Sequence, residues 1–168
     1  PLRIAFKRFF AIASVGLIDG ETVVRVHFSP FLFLLFHTRL DEAKKGNFPN
    51  ANFTLFNGES LPFTDNFFEK GTSTNTIYFW KSPEVLTSEI HRVLKPKGLI
   101  TISFADKEFM RKLPFTHENF KLYEVSQVVS LFSKFFTLLD QEEQRENVIS
   151  KSGESVERTF YTLTFQSV

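Results

Sequence analysis

The sequence contains no cysteine, which excludes disulfide bonds, thiolate metal ligands and cysteine nucleophiles. It also lacks a long apolar run. The longest, from Phe31 to Phe36, is far shorter than the roughly 20 residues of a membrane-spanning helix. The formal net charge is only +1, so there is no strong field to attract nucleic acid. From these absences we expect a protein without a membrane span or a nucleic-acid partner, located in the cytoplasm.

Glycine is scarce, and its placement excludes further classes of site. The seven glycines are isolated from one another, and no G-x-G occurs. Neither a phosphate-binding loop nor a Ser-His-Asp signature is present. His37 and His117 have no neighbouring histidines or carboxylates with the spacing of metal ligands, so we predict no metal site.

Phenylalanine is abundant, with 23 residues against one tryptophan and three tyrosines. The usual interpretation is an aromatic core, because phenylalanine is mostly buried. The alternative is that some rings cover a surface that a partner buries. A helix predicted over 31–45 is apolar on every side from Phe31 to Phe36, which is typical of a helix without an exposed face. A homodimer through residues 31–36 is therefore one of our hypotheses.

Hydrophobic periodicity predicts strands that alternate with helices. The first helix is basic and amphipathic, and a membrane-surface role for it is a weaker alternative. A loop over 61–66, a turn over 95–98 and an irregular or partly helical stretch over 106–120 connect some of the elements. We predict helices over 2–16, 31–45, 83–94 and 123–136, and strands over 22–28, 52–56, 72–79, 99–104, 137–148 and 157–166. This order predicts one α/β domain over residues 1–168, with a doubly wound, mainly parallel sheet and a C-terminal antiparallel hairpin.

Two motifs in this pattern are similar to a known family. They are LPFTDN at 61–66 and EIHRVLKPKG at 89–98, followed by the apolar strand LITISF. Their combination and spacing resemble the class I S-adenosylmethionine (SAM)-dependent methyltransferases that act on small molecules. The resemblance covers residues 22–105 well and the remainder loosely. It implies a Rossmann-like sheet, a SAM cofactor at the carboxyl ends of the strands and a small-molecule methyl acceptor.

The resemblance also sets expectations about the start of the chain. In the family, the first strand leads into a G-x-G-x-G turn that lets the backbone approach the cofactor. Here we expect that strand and turn to be missing, with the chain opening in the helix that follows them. The sequence begins at Pro1 rather than at methionine, and we interpret this start as truncated, processed or engineered.

The resemblance implies a cofactor site with unusual residues. His27, followed by Phe28, stands where the family has an acid that binds the ribose hydroxyls, and a neutral imidazole accepts only one such hydrogen bond. Asn57 stands where an aspartate usually meets the adenine, and its side-chain oxygen can still accept that hydrogen bond. The turn after Asn57 continues with Gly58, Glu59 and Ser60. An Asn-Gly turn also forms without any ligand, so a purely structural role is the alternative.

Further positions match the segment that comes after the family's fourth strand. Ser73 and Asn75 match positions that line the methionine end of the cofactor, and Tyr78 and Trp80 match the substrate side. The alternative to a substrate contact is that these two aromatic residues pack against the sheet. The catalytic residue is unknown, and the candidate bases are His27, Tyr78 and His117. His91 and Arg92 belong to a helix that is structural in the family.

Two functions remain open from the sequence. The first is SAM-dependent methyl transfer to a small molecule with a degenerate cofactor site. The second is a catalytically inactive or truncated domain that acts through oligomerisation by its Phe-rich helix.

Overall fold

The computed structural model describes residues 9–13, 23–25, 51–53, 56, 58–113, 116, 120–149 and 155–168. Several predictions lie outside these residues. They are the helix over 31–45, the turn over 151–153 and the positions of His27, Phe28, His37, Asn57 and His117.

The described strands are β1 Phe9–Ala13, β2 Val23–Arg25, β3 Ala51–Phe53, β4 Phe68–Thr74, β5 Leu94–Ala105, β6 Phe136–Ile149 and β7 Ser155–Ser167. They form one seven-stranded sheet of order β3-β2-β1-β4-β5-β7-β6. Strands β1 to β5 run parallel, and β7 lies antiparallel between β5 and β6. The sheet confirms the predicted mainly parallel architecture with a C-terminal hairpin.

The start of the chain differs from the prediction. Residues Phe9–Ala13 form β1, not part of a helix, and β1 pairs in parallel with both β2 and β4. The expectation that the first strand is missing is therefore wrong. A short apolar run such as FFAIA has no periodicity that separates a buried strand from a buried helix segment. The parallel pairing of this segment with β2 and β4 shows that it is a strand.

Two predicted boundaries of the central strands also shift. Strand β4 begins at Phe68 and ends at Thr74, whereas the prediction was 72–79. It ends there because Asn75 adopts a left-handed backbone with φ of 54°, and a 3-10 turn follows over Ile77–Phe79. The predicted turn over 95–98 is wrong, because these residues belong to strand β5. They lie where the pairing of β5 with β4 shifts its register.

Three helices are described, namely α1 Pro83–Val93, α2 Lys107–Arg111 and α3 Val125–Phe132. Helix α1 matches its prediction closely, with Pro83 in its first turn, where proline is favoured. Its buried residues Leu86, Ile90 and Val93 repeat at helical spacing. Helix α3 is shorter than predicted, because β6 already begins at Phe136.

The core is continuous between the sheet and these helices. Strand β5 alternates between buried apolar and half-buried polar residues, which is the period of a strand with two different faces. Its fully buried residues belong to one cluster with α1 and α3, and the cluster includes Ile100, Ile102, Phe104, Leu86, Ile90, Val128 and Phe132. On the other face, the hydroxyls of Ser103 and Thr162 lie 3.0 Å apart across neighbouring strands. None of the helices in the described part of the chain is long and apolar enough to span a bilayer.

Candidate active site

The sheet changes direction between β1 and β4. From β1 the chain moves outward to β2 and β3, and then returns to β4 on the opposite side of β1. In open α/β sheets a ligand crevice forms at such a switch point, outside the carboxyl ends of the strands. Ala13 and Thr74 are paired at these ends of β1 and β4. The carboxyl edge around this pair is the candidate active site.

The turn over 58–60 follows β3 in the chain, and hydrogen bonds link it to α1. Gly58 is buried with φ of 91°, a conformation that favours glycine. Glu59 accepts a hydrogen bond of 3.0 Å from the Ser82 hydroxyl, which lies directly before α1. The exposed Ser60 hydroxyl donates a hydrogen bond to Glu89 within α1. Hydrogen bonds of Glu59 and Ser60 therefore hold the predicted turn over 58–60 against α1 and the residue before it.

The residues around the end of β4 divide into inward-facing and outward-facing ones. Ser73 is buried, and its hydroxyl lies 2.6 Å from that of Thr76. Asn75 is exposed, and its backbone N–H donates to the carbonyl of Ser103 at 2.8 Å. Of the two predicted cofactor residues, Asn75 presents its side chain at the edge, whereas the Ser73 hydroxyl is already satisfied inside the turn.

Tyr78 connects the ends of β4 and β5. Its side chain is buried, with 4% exposed. The hydroxyl oxygen of Tyr78 accepts a hydrogen bond from the backbone N–H of Ala105, and it lies 3.5 Å from Oδ1 of Asn75. Burial raises the pKa of Tyr78 to about 12. The phenol therefore stays protonated at neutral pH, which argues against Tyr78 as a general base, because an efficient base titrates near the working pH.

Trp80 is a core residue. Its side chain is buried, its ring centroid lies 6.2 Å from that of Phe132 in α3, and its indole N–H donates to the Thr76 hydroxyl at 3.2 Å. A ring that is enclosed in this way has no free face for a substrate. Its position favours packing over the substrate contact that the sequence suggested.

An aromatic wall that the sequence analysis did not identify lies beside Tyr78. Phe79 is 37% exposed, and its ring meets that of Phe120 edge-to-face with centroids 4.6 Å apart. Phe120 also lies 5.9 Å from the Tyr78 ring. Exposed apolar side chains beside a crevice are common in ligand sites. The only sequence signal for this wall was the cluster Tyr78-Phe79-Trp80, since Phe120 is distant in sequence.

His91 and Arg92 have structural positions in α1, as expected from the sequence. The imidazole of His91 stacks on Phe135, with centroids 5.1 Å apart. The guanidinium of Arg92 forms ion pairs with Asp65 and Glu89, both at 2.8 Å. Among the residues that the structure describes, no three histidine, aspartate or glutamate side chains cluster as metal ligands do.

Comparison with known proteins agrees with this geometry. A family model described as a methyltransferase domain matches residues 12–102. No curated protein matches the sequence. The fold is similar to a SAM-dependent methyltransferase from Methanosarcina mazei, with 16% identity, a TM-score of 0.69 and coverage of 99% of this chain and 94% of that one.

Two other solved structures extend the comparison. A SAM-dependent methyltransferase from Thermotoga maritima is 15% identical, with a TM-score of 0.62 and coverage of 98% and 83%. The cyclase SpnF is 14% identical, with a TM-score of 0.67 and coverage of 98% and 76%. At these identities the likeness concerns the fold. Because the family model matches more than half of the chain, the chain belongs to the methyltransferase-domain family and has the class I SAM-dependent methyltransferase fold.

Proposed function

We propose that the chain transfers a methyl group from SAM to a small molecule at the carboxyl ends of β1 and β4, and that it binds SAM with low affinity. The observation that supports this most is the pairing of Ala13 with Thr74 at the switch point of the sheet. It puts the exposed Asn75 beside the crevice in which such sheets bind their ligands.

The described residues at this edge fit SAM in two respects. The exposed amide of Asn75 offers a donor and an acceptor for the polar methionine end. Gly58, buried and with positive φ, suits a turn that a planar adenine approaches closely. When bound, SAM supplies an electrophilic methyl group.

The contribution of the chain to methyl transfer is positional. Holding an acceptor in line with the methyl group replaces a bimolecular encounter by an intramolecular one. The exposed Phe79 and its neighbour Phe120 provide an apolar wall for the body of the acceptor. This wall favours a planar or apolar small molecule over a strongly charged one.

Three features weaken the cofactor site in this proposal. No G-x-G follows β1. Residues 14–22, nine in all, separate β1 from β2, fewer than the dozen or more that usually connect adjacent parallel strands. His27 and Asn57 replace acids that the resemblance leads us to expect. At His27 one hydrogen bond to the ribose is lost, which costs about 1 kcal/mol and weakens affinity roughly fivefold, whereas the Asn57 side-chain oxygen still accepts a hydrogen bond.

The short connection also favours the alternative function, a domain that keeps the fold without methyl transfer and acts by association through residues 31–36. Fold alone does not determine chemistry, and the similar structure of SpnF is that of a cyclase. This alternative predicts a stable oligomer and no affinity for the cofactor.

Titration calorimetry with S-adenosylhomocysteine separates the two functions. We expect weak, saturable binding in wild type and a further loss of about fivefold in Asn75→Gly, because glycine keeps the left-handed backbone but removes the amide. Phe79→Ala is the matched control, and we expect it to leave cofactor affinity unchanged. No heat and no thermal shift at about millimolar ligand, together with an oligomer by light scattering, contradicts the enzyme and supports the alternative.

A further inference from the structure

A cavity lies between helices α1 and α3, and its lining contains none of Asn75, Phe79 and Phe120. It is an open groove of about 950 Å³, which is within the range of sites that bind drug-sized ligands. The two helices contact each other directly. Most of the lining consists of larger side chains, but Ser88 of α1 and Ser126 and Ser130 of α3 also line the groove, and these small side chains leave space between the helices.

One polar atom in the wall of this groove has no partner. Tyr123 lines the groove and is 5% exposed, and its hydroxyl makes no hydrogen bond in the described structure. Burial, together with the nearby charge of Glu84, raises the pKa of Tyr123 to about 12. The hydroxyl therefore keeps its proton at neutral pH. A buried unsatisfied hydroxyl is costly. The oxygen itself is shielded from solvent, so a ligand in the groove accepts its hydrogen bond, and removes this cost, once the Tyr123 side chain shifts toward the groove.

The groove carries a positive charge at each end. Lys121 and Lys134 flank α3 and line the groove, and in the part of the chain that the structure describes neither forms an ion pair. Helix α3 has eight residues, a rise of about 12 Å. Of the two acids in the lining, Glu89 is neutralised by Arg92 at 2.8 Å. Only Glu84 remains to oppose the two lysines.

The geometry points to docking of an acidic peptide segment from a partner protein. In an extended segment, acidic side chains about four or five residues apart reach both lysines, because each residue spans about 3.3 Å. Between these acidic residues, a backbone carbonyl of the peptide accepts a hydrogen bond from the Tyr123 hydroxyl. The serine hydroxyls of the groove form hydrogen bonds with other amide groups of the peptide. Val85, which is 49% exposed, and the half-buried Leu131 contact apolar side chains of the segment. Lys121 directly follows Phe120 in the chain, so one end of the groove adjoins the aromatic wall of the proposed methyl-transfer site.

Fluorescence anisotropy with a labelled peptide of alternating glutamate and leucine tests this proposal on the full chain. We expect saturable binding with a dissociation constant of roughly 10–100 µM at low salt. Replacing both groove lysines (Lys121→Gln with Lys134→Gln) weakens binding about tenfold. The matched control is Lys97→Gln with Lys112→Gln, two exposed lysines outside the groove, and it leaves the affinity within about twofold of wild type.

Tyr123→Phe tests the hydroxyl separately, and we expect about fivefold weaker binding because one hydrogen bond is lost. Circular dichroism confirms that each variant is folded. Equal loss in the two lysine pairs, equal binding of a lysine–leucine peptide, or no saturation up to about 1 mM peptide overturns the proposal. Binding that survives Ser130→Phe, which fills the groove, overturns it as well.

Discussion

Arg92 and Leu61 are joined through the backbone of the LPFTDN loop. Nη2 of Arg92 donates to the carbonyl oxygen of Leu61 at 2.9 Å, and the N–H of Leu61 donates to Glu89 at 2.9 Å. Glu89 and Arg92 in turn bind each other at 2.8 Å. One turn of α1 therefore holds both polar groups of a single loop residue. These contacts join the LPFTDN and EIHRVL motifs in space.

We predict that Arg92→Lys lowers the free energy of unfolding by about 2 kcal/mol. The guanidinium also donates to the carbonyl of Phe63 and to Asp65, both at 2.8 Å, and a lysine ammonium does not reproduce this planar set of donors. Urea denaturation measures the loss. Arg111→Lys is the control, because Arg111 makes an exposed ion pair with Glu108, and such pairs contribute little. Equal effects of the two substitutions contradict the structural role.

The same contacts predict a dependence of stability on pH. Hydrogen bonds from Arg92, above all, lower the pKa of Glu89 in the folded chain below its ordinary value of 4.5. Because the folded pKa is depressed, the stabilisation is fully present above that ordinary value and is lost as the pH falls through the folded pKa. We expect Glu89→Gln to be less stable than wild type at neutral pH, with the difference shrinking below about pH 4.5. Urea midpoints across this range test it, and a difference that stays constant contradicts the assignment.

Much of the fold followed from local sequence patterns, and the failures have physical causes. Helix α1 was predictable because proline, helical spacing of Leu86 and Ile90 and the motif itself agree. Strand β1 was not, because its five apolar residues are compatible with either structure, and only pairing with β2 and β4, distant in sequence, decides it. The bend at Asn75 was missed for a similar reason, because asparagine tolerates left-handed φ without requiring it.

The candidate site was predictable as a region but not in its details. Ser73 and Asn75 both lie in the segment that the resemblance indicates, but side-chain direction separates them, with Ser73 facing Thr76 and Asn75 facing solvent. The meeting of Phe79 and Phe120 depends on how the segment after β5 folds back to β4, where the Lys121 N–H donates to the Tyr78 carbonyl at 3.1 Å. No local pattern encodes such a contact.

The irregular start of β5 gives a pair of opposite predictions. A Cβ atom added at Gly98 would lie 2.8 Å from the carbonyl oxygen of Lys95 and 3.1 Å from that of Glu69. Since both are backbone atoms, Gly98→Ala forces the chain to shift and costs about 1–3 kcal/mol. The neighbouring Lys97 has φ of 63°, so Lys97→Gly relieves strain and is stabilising or neutral by up to about 1 kcal/mol. Thermal unfolding measures both, and a destabilised Lys97→Gly variant contradicts the left-handed backbone.

Tyr78 and Tyr123 provide a matched comparison, because both are buried with pKa values raised to about 12, but they differ in hydrogen bonding. The Tyr78 hydroxyl accepts the N–H of Ala105, whereas the Tyr123 hydroxyl lacks a partner in the described structure. Tyr78→Phe leaves a buried donor unsatisfied and costs about 1–2 kcal/mol. Tyr123→Phe removes an unsatisfied group and raises stability by up to about 1 kcal/mol.

Urea denaturation of the two variants under identical conditions compares these effects. The opposite signs exclude a general effect of replacing a buried tyrosine, because both substitutions remove the same atom. If Tyr123→Phe is destabilised as much as Tyr78→Phe, its hydroxyl already has a partner within the chain. The groove then loses its unsatisfied hydrogen-bond donor. If the variant gains stability while losing affinity for the acidic peptide, the hydroxyl is retained for binding at a cost to the fold.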